Sequence, residues 1–204
     1  MIFFFEIVTL YKMIFLKMFH FKVLIKVMQL DLANLDSVKD FVRRFLNTEQ
    51  RLDILINNAG LFVTKQSVTR DGFETTFQSN HLGPFLLTNL LLDKLKESNY
   101  SRIINVSSVG HKRANLDLND LNFQKRKFNG FQAYFDSKLA NILFSRELTK
   151  KLKSERVEVF SLHPGLVNTD ILNATPLGSK YISILVWPFG KLIMKTPEQG
   201  NPCH

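Results

Sequence analysis

A tyrosine and a lysine stand four residues apart in a segment of the chain that is predicted to be helical. Residues four apart share one face of an α-helix, so Tyr134 and Lys138 can converge on one small volume. A phenol has a reference pKa near ~10 and is a poor base at neutral pH unless a nearby cation favours the phenolate. The pair therefore predicts acid–base chemistry in which Lys138 lowers the pKa of Tyr134. The alternative is a pair of surface residues on an ordinary helix.

Apolar runs and helical patterns alternate around this pair. The runs predict strands at residues 23–30, 52–56, 103–106 and 157–162. One helix is predicted to begin near Asp71 and Glu74, which are spaced like an N-cap and its third helical residue, and another to cover residues 131–153. Because strands that alternate with helices imply parallel neighbours, we predict an α/β fold. It is a doubly wound parallel sheet (Rossmann-like), incomplete at the N-terminus and at the C-terminus.

Five short motifs occur in order along the chain, and three of them directly follow predicted strands, where such sheets bind their ligands. They are Asn57-Asn58-Ala59-Gly60, Asn80-His81-Leu82-Gly83, Ser107-Ser108, Tyr134 to Lys138, and His163-Pro164-Gly165. This ordered set resembles the short-chain dehydrogenase/reductase family, and the similarity runs from about residue 23 to residue 200. Within the family, the chain is similar to the retinol dehydrogenase branch.

The resemblance implies the catalytic roles. Tyr134 would be the general acid/base toward a carbonyl or alcohol, and Lys138 would lower its pKa and hold the nicotinamide ribose. Ser108 would hydrogen-bond the substrate oxygen, on which negative charge grows as hydride arrives at the carbon. Ser107 is the rival for this role, and a strand-end cap is the structural alternative for Ser108.

Asn80 matches the family asparagine whose backbone carbonyl holds a water that relays protons to the lysine. Pro84 has no N–H, so the helical hydrogen bond from residue 84 to the carbonyl of residue 80 cannot form. That carbonyl is therefore expected to be free for water. The alternative is that Gly83 and Pro84 merely kink a helix.

The resemblance also implies a cofactor site for NADP, with NAD as the other option. Asn57, Ala59 and Gly60 would line the adenosine side, and Asp31 would lie beside the adenine ring. Pro164, Gly165 and Thr169 would contact the nicotinamide end, together with Tyr134 and Lys138. Each has a structural alternative. Asn57 can serve the sheet alone, Asp31 can be an N-cap, and Pro164 with Gly165 can be a turn.

The substrate is expected to be a lipophilic small molecule such as a retinoid, because residues 170–195, where the family carries its substrate lid, are apolar and aromatic. A core or membrane-contacting helix is the alternative for this segment. The resemblance further suggests an intracellular protein that contacts the endoplasmic-reticulum or mitochondrial membrane peripherally, and a homodimer. The net charge of +9 comes from scattered basic residues. Because these basic residues form no patch with aromatic residues and no zinc-ligand spacing accompanies them, we expect no nucleic-acid partner and no metal site.

The N-terminal part departs from the family. Residues 1–22 form an atypical apolar leader, and residues 23–204 form a partial family domain. No glycine occurs in residues 1–50, so the usual Thr-Gly-x-x-x-Gly-x-Gly turn is absent there. Two functions stay open. One is a hydride-transferring oxidoreductase, and the other is a catalytically inactive truncated fragment or splice form that acts at most as a binding module.

The chain of residues 1–204 is expected to bind NADPH very weakly or not at all. A dinucleotide's affinity rests heavily on its pyrophosphate, which the N–H groups of the glycine turn and its helix receive. Exposed lysines act through solvent and are screened over about 8 Å at physiological ionic strength, so they do not replace that turn. Calorimetric titration with NADPH in physiological salt, alongside thermal unfolding, measures this. Micromolar binding with a matching rise in melting temperature would contradict the expectation.

Overall fold

The computed structural model of the chain describes the backbone of Ile2–Phe4 and residues 26–164. Within them, strands and helices alternate along most of the chain. The strands are β1 (Ile2–Phe4), β2 (Ile54–Asn57), β3 (Ser101–Val106) and β4 (Val157–Leu162). The helices are α1 (Leu35–Thr48), α2 (Thr75–Phe77), α3 (Gly83–Leu90), α4 (Leu92–Lys96) and α5 (Gly130–Lys151), with a π-helix at Gln78–Leu82 and a 3-10 helix at Val109–Arg113.

The four strands form one parallel sheet in the order β1, β2, β3, β4. Ile54 pairs with Arg102 at one end of β2, and Asn57 pairs with Asn105 at the other. All six residues of β3 pair with β4, which ends with Val106 opposite Leu162. The prediction of a parallel α/β sheet is therefore confirmed, and the carboxyl ends of β2, β3 and β4 meet at one edge.

One apolar core joins the helices to this sheet. Helix α1 buries an apolar face, and its Phe41 and Phe45 rings stack with centroids 6.0 Å apart. Leu55 of β2 and Ile103 of β3 are completely buried against the same cluster. Leu148 near the end of α5 closes it. Burial of these side chains fixes the sheet relative to α1 and α5.

The predicted strand at residues 23–30 is not present where the structure describes it, because residues 26–30 form no strand. A strand persists only where a neighbour takes its backbone hydrogen bonds, and no strand of the described sheet pairs with this segment. Side chains hold it instead. Lys26 Nζ lies 2.7 Å from Glu49 Oε1, and Arg44 Nη2 donates to the carbonyl of Gln29 at 2.6 Å.

The predicted leader contributes a strand. Residues of β1 pair in parallel with β2 over three positions, from Ile2 with Ile54 to Phe4 with Ile56. Among the described strands, β1 is the neighbour of β2 on this edge, and it covers part of its length. Among the described residues, no helix has the length and apolar character needed to cross a membrane.

The expected N-cap at Asp71 is wrong. Glu74 caps α2 itself, since its carboxylate accepts from the N–H groups of Thr76 and Phe77 at 2.9 and 2.7 Å. Asp71 instead accepts from the N–H of Leu35 at 2.9 Å, which ties this loop to the start of α1. The single helix predicted to begin here is observed as four segments, which are α2, the π-helix, α3 and α4.

Candidate active site

The site is assembled from the ends of β2 and β3 and the first turns of α5. Beyond β3, the N–H of Ser107 donates to the carbonyl of Leu162 at 2.7 Å, so the parallel pairing continues to the loop. Asn129 caps α5, accepting from Phe131 N at 3.0 Å and Gln132 N at 3.2 Å. A fixed start places the first turns of α5 beside the serine pair that follows β3.

Ser108 acts on the Tyr134 phenol. The side chain of Ser108 hydrogen-bonds the Tyr134 hydroxyl, and the same serine oxygen accepts the N–H of Gly110 at 3.2 Å as the N-cap of the 3-10 helix. The Ser108 hydroxyl is thus anchored by Gly110, and it lowers the pKa of the phenol. Its position as a cap and its contact with Tyr134 are compatible, so the two interpretations of Ser108 do not exclude each other.

Ser107 points away from the phenol. It is 4% exposed, and its hydroxyl donates to the backbone carbonyl of Lys138 at 2.8 Å. This bond fastens α5 to the end of β3. Of the two serines, Ser108 is therefore the one whose side chain meets Tyr134.

The pKa of Tyr134 is raised above its ordinary value, because burial disfavours the phenolate. The hydrogen bond from Ser108 acts in the opposite direction and lowers it. Burial is the largest influence on the phenol, and Lys138 Nζ lies 5.5 Å from the centroid of the Tyr134 ring. That Lys138 lowers the phenol's pKa stays a prediction. At neutral pH the phenol keeps its proton.

Lys138 is almost completely buried, with 3% of its surface exposed. Its Nζ donates to the carbonyl of Val106, the last residue of β3, at 3.1 Å. Burial lowers the pKa of Lys138 to about 8, because the ammonium loses its hydration. A lysine in this state exchanges its proton near physiological pH.

The side chain of Asn80 crosslinks the site. Its Nδ2 donates to Ser137 Oγ at 3.1 Å and to the carbonyl of Leu61 at 2.9 Å, while its Oδ1 accepts the N–H of Leu61 at 2.7 Å. Asn80 lies within the π-helix, a rare feature that often marks functional positions.

The sequence suggested that the backbone carbonyl of Asn80 is free for water, but in the structure it already accepts a hydrogen bond from a side chain. Pro84 gives it no helical hydrogen bond, but Asn141 Nδ2 donates to it at 3.1 Å. Sequence reasoning missed Asn141 and its neighbour His81, whose Nδ1 lies 3.0 Å from Asn141 Oδ1. The available signal was the spacing of three residues between Lys138 and Asn141 on one helix.

Asn57 serves the sheet. Its buried Nδ2 donates to Thr88 Oγ1 of α3 at 2.9 Å and to Asn105 Oδ1 of β3 at 2.8 Å. Asn105 Nδ2 donates in turn to Ser145 Oγ of α5 at 2.8 Å. These bonds join two strands and two helices through the core, which is the structural alternative considered for Asn57.

Gly60 approaches the site closely, whereas Asp31 does not contact its catalytic side chains. A Cβ at Gly60 would lie 3.2 Å from Lys138 Nζ, and Ala59 precedes it as a half-buried residue. The exposed Asp31 accepts the N–H of Ala33 at 2.9 Å. It is not the N-cap of α1, because Asn34 holds that position.

The nicotinamide-side residues are only partly visible. Pro164 is half-buried just beyond β4. Gly165, Thr169 and the predicted lid at residues 170–195 lie outside the described residues.

Aromatic rings surround Tyr134, a feature that the sequence pattern did not single out. Phe62 lies 6.2 Å from the Tyr134 ring and 5.0 Å from Phe131, and Phe135 lies 6.3 Å from Tyr134, all between ring centroids. Phe131 is 41% exposed. The phenol therefore has an apolar, aromatic flank.

The polar groups suit the nicotinamide ribose end of a dinucleotide. An ammonium has three N–H donors, and Val106 O is the one acceptor that Lys138 Nζ contacts among residues 26–164. Donors are therefore left for ribose hydroxyls.

Replacing Lys138 by Met should stabilise the fold below pH 8 and lose this advantage as pH rises. The folded pKa of about 8 lies below the ordinary 10.5, so the buried charge destabilises the fold by roughly 3 kcal/mol when both states are protonated. That cost disappears between pH 8 and 10.5, where the unfolded state holds more protons. Urea unfolding of both proteins at several pH values measures the difference. A difference in unfolding free energy that does not change over this range would refute the buried-charge assignment.

Comparison with known proteins identifies the family to which the chain is similar. The profile described as short chain dehydrogenase matches residues 16–178. Retinol dehydrogenase 13 of Homo sapiens is 49% identical over 170 residues, which cover 83% of this chain and 51% of that protein. Retinol dehydrogenase 14 of Homo sapiens is 46% identical over 177 residues, covering 85% and 51%. The chain spans about half the length of the curated relatives it matches.

Solved structures share the fold. An uncharacterized protein from Mycobacterium Paratuberculosis superposes with a TM-score of 0.62 at 38% identity, covering 79% of this chain and 57% of that one. A blue fluorescent protein from a metagenomic library, solved in complex with NADPH, gives a TM-score of 0.60 at 25% identity over 82% and 62%. Because the family profile matches well over half of its residues, the chain belongs to the short chain dehydrogenase family.

Proposed function

We propose that this chain carries the catalytic residues of an oxidoreductase that interconverts a lipophilic alcohol and its aldehyde or ketone with a nicotinamide cofactor. The observation that carries the proposal is that the buried Nζ of Lys138 lies 5.5 Å from the centroid of the Tyr134 ring, at the end of β3 where Ser108 follows. Family membership and relatives named retinol dehydrogenase support the same reaction class.

Tyr134 is the proton donor when a carbonyl is reduced. Its raised pKa keeps the phenol protonated at neutral pH, and its hydroxyl is already paired with Ser108. Ser108 donates to the substrate oxygen as negative charge develops there, and Tyr134 then passes its proton to that oxygen. In the opposite direction the phenolate accepts the proton of the alcohol. The Asn80 side chain holds Ser137 and so keeps the first turns of α5 in place.

Lys138 holds the ribose of a nicotinamide cofactor and stabilises the phenolate that forms after proton transfer. NADP is the proposed cofactor, because a structural neighbour with 25% identity was solved with NADPH. The bound cofactor supplies or accepts the hydride. Asp31, Asn57, Ala59, Gly60, Pro164, Gly165 and Thr169 stay proposed for its remaining contacts, with Asn57 acting through the sheet.

The proposed substrate is a lipophilic molecule of the retinoid kind. The aromatic flank made by Phe62, Phe131 and Phe135 offers apolar surface beside the phenol, where a conjugated or aliphatic chain can pack. The relatives' names point to the same substrate class. An intracellular location, peripheral membrane contact and a homodimer belong to the same proposal, on the basis of the family resemblance.

One observation favours a second candidate, a catalytically silent binding form. Residues 1–50 contain no glycine, and among the described residues β1 is the strand beside β2, with three paired positions. A pyrophosphate site of the usual kind needs a glycine turn after such a strand. The two candidates differ in turnover at high cofactor concentration.

Tyr134→Phe should lower NADPH-dependent reduction of all-trans-retinal by roughly 100-fold to 10,000-fold, because the variant lacks the proton donor. Millimolar NADPH offsets weak cofactor binding by this chain. The matched control is Tyr100→Phe, which removes the hydroxyl of a tyrosine that is 52% exposed. The control is expected to keep the parental rate.

A chimera strengthens this test. The part of Homo sapiens retinol dehydrogenase 13 that precedes its matched region replaces residues 1–22, and the same three proteins are assayed. Comparable turnover by the Phe variant would remove Tyr134 from the mechanism. A chimera without turnover, when its fold and NADPH binding are intact, would contradict the oxidoreductase proposal.

A further inference from the structure

We infer that Asn141 is a positioning residue of this site. Its side chain holds the backbone carbonyls of Asn80 and Val106, and His81 fixes the orientation of its amide. The inference deepens the proposed function, because it concerns the groups that hold the lysine. It rests on hydrogen bonds among buried side chains.

The amide of Asn141 lies between two elements. Its Nδ2 donates to the carbonyl of Asn80 in the π-helix at 3.1 Å and to the carbonyl of Val106 at the end of β3 at 3.4 Å. Val106 O also accepts from Lys138 Nζ at 3.1 Å. One side chain thus holds the lysine's own acceptor and the carbonyl to which the family resemblance assigns a proton relay. We call this arrangement the carbonyl clamp.

The clamp replaces a hydrogen bond that the backbone cannot make. Pro84 has no N–H, so residue 84 donates nothing to the carbonyl of Asn80. Asn141 is 4% exposed and Asn80 is 1% exposed, so a carbonyl without a donor here would be costly. A side chain from α5 supplies the donor and ties the π-helix to the catalytic helix.

The orientation of the amide follows from its partners. If the Asn141 amide were flipped, its Oδ1 would face two carbonyl oxygens, and no hydrogen bond could form with either. Oδ1 therefore faces His81, and because an amide oxygen only accepts, His81 Nδ1 carries the proton. Phe77, Phe85 and Phe144 surround the imidazole at 5.3 to 6.2 Å between ring centroids.

His81 is held neutral as well as oriented. Burial lowers the pKa of His81, and the hydrogen bond to Asn141 acts in the opposite direction. A neutral imidazole with its proton on Nδ1 donates to Asn141 without placing a second cation near Lys138. The clamp therefore needs both residues.

Two carbonyl signals report on the clamp in the full chain. The dipeptides Val106-Ser107 and Asn80-His81 each occur once in the sequence. One sample carries ¹³C at the Val carbonyls and ¹⁵N in Ser, and a second carries ¹³C at the Asn carbonyls and ¹⁵N in His. Each sample gives one HNCO cross-peak, from Val106-Ser107 and from Asn80-His81 respectively. In Asn141→Leu, both carbonyl ¹³C signals should move upfield, because each carbonyl loses a hydrogen-bond donor. The control Asn89→Leu changes an exposed asparagine of α3 and should move neither.

Two further readouts keep the inference testable should the Leu variant fold poorly. In the unaltered chain, ¹H–¹⁵N correlation of the imidazole should show the His81 proton on Nδ1, with His81→Asn assigning the signal. In Asn141→Asp, a carboxylate replaces the donor, so the pKa of Lys138 should rise from about 8 in ¹³C-lysine titrations. Asn89→Asp should leave it unchanged.

The outcomes separate the two proposals, because none of these readouts needs turnover. Any one of three results would overturn the clamp. The first is a His81 proton on Nε2, and the second is that one or both carbonyl signals stay in place in Asn141→Leu. The third is a pKa of Lys138 that is unchanged in Asn141→Asp. A chain that shows the clamp but reduces no carbonyl substrate would contradict the proposed function and leave the clamp standing.

Discussion

The buried ammonium group of Lys138 constrains everything described around it. Burial lowers its pKa to about 8, so the fold tolerates the lysine only where backbone and amide groups hold it in place. The carbonyl of Val106 accepts a hydrogen bond from Lys138 Nζ, and the Ser107 hydroxyl donates to the backbone carbonyl of Lys138. The end of β3 and the first turns of α5 must therefore stay in one register, and that register also brings Ser108 to Tyr134.

A polar network carries this constraint into the sheet. Asn57 joins β2 to Asn105 of β3, and Asn105 joins Ser145 of α5, each through a buried side chain. Ser145 Oγ then donates to the carbonyl of Asn141 at 2.8 Å, three residues beyond the lysine. A buried network whose members all find partners favours a single arrangement, because each alternative leaves a polar group unsatisfied. The lysine's position and the alignment of the sheet are thus coupled.

Much of this arrangement could be predicted from residue patterns, and the failures have physical reasons. Tyr134, Lys138 and Ser108 lie where helical spacing and a strand end put them. Residues 26–30 look like a strand but lack a neighbour in the described sheet, and pairing is a long-range property that local pattern does not contain. The spacing of Asn141 from Lys138 places both on one helix face, but the partners of Asn141 are 61 and 35 residues away, so that spacing does not show which carbonyls it holds. The phenol's raised pKa depends on burial, which the spacing of two residues does not set.

The central claim is that Ser108 and Tyr134 act as one hydrogen-bonded pair beside Lys138, and a titration of the phenol tests it most directly. Tyrosine labelled with ¹³C at Cζ reports ionisation of each phenol, and Tyr134→Phe assigns the signal. Because the Ser108 hydrogen bond lowers the pKa of Tyr134, Ser108→Ala should raise that pKa further above its ordinary value, whereas Ser107→Ala should not. A Tyr134 titration that is the same in the Ser108→Ala variant and in the unaltered chain would contradict the pairing on which the proposed chemistry rests.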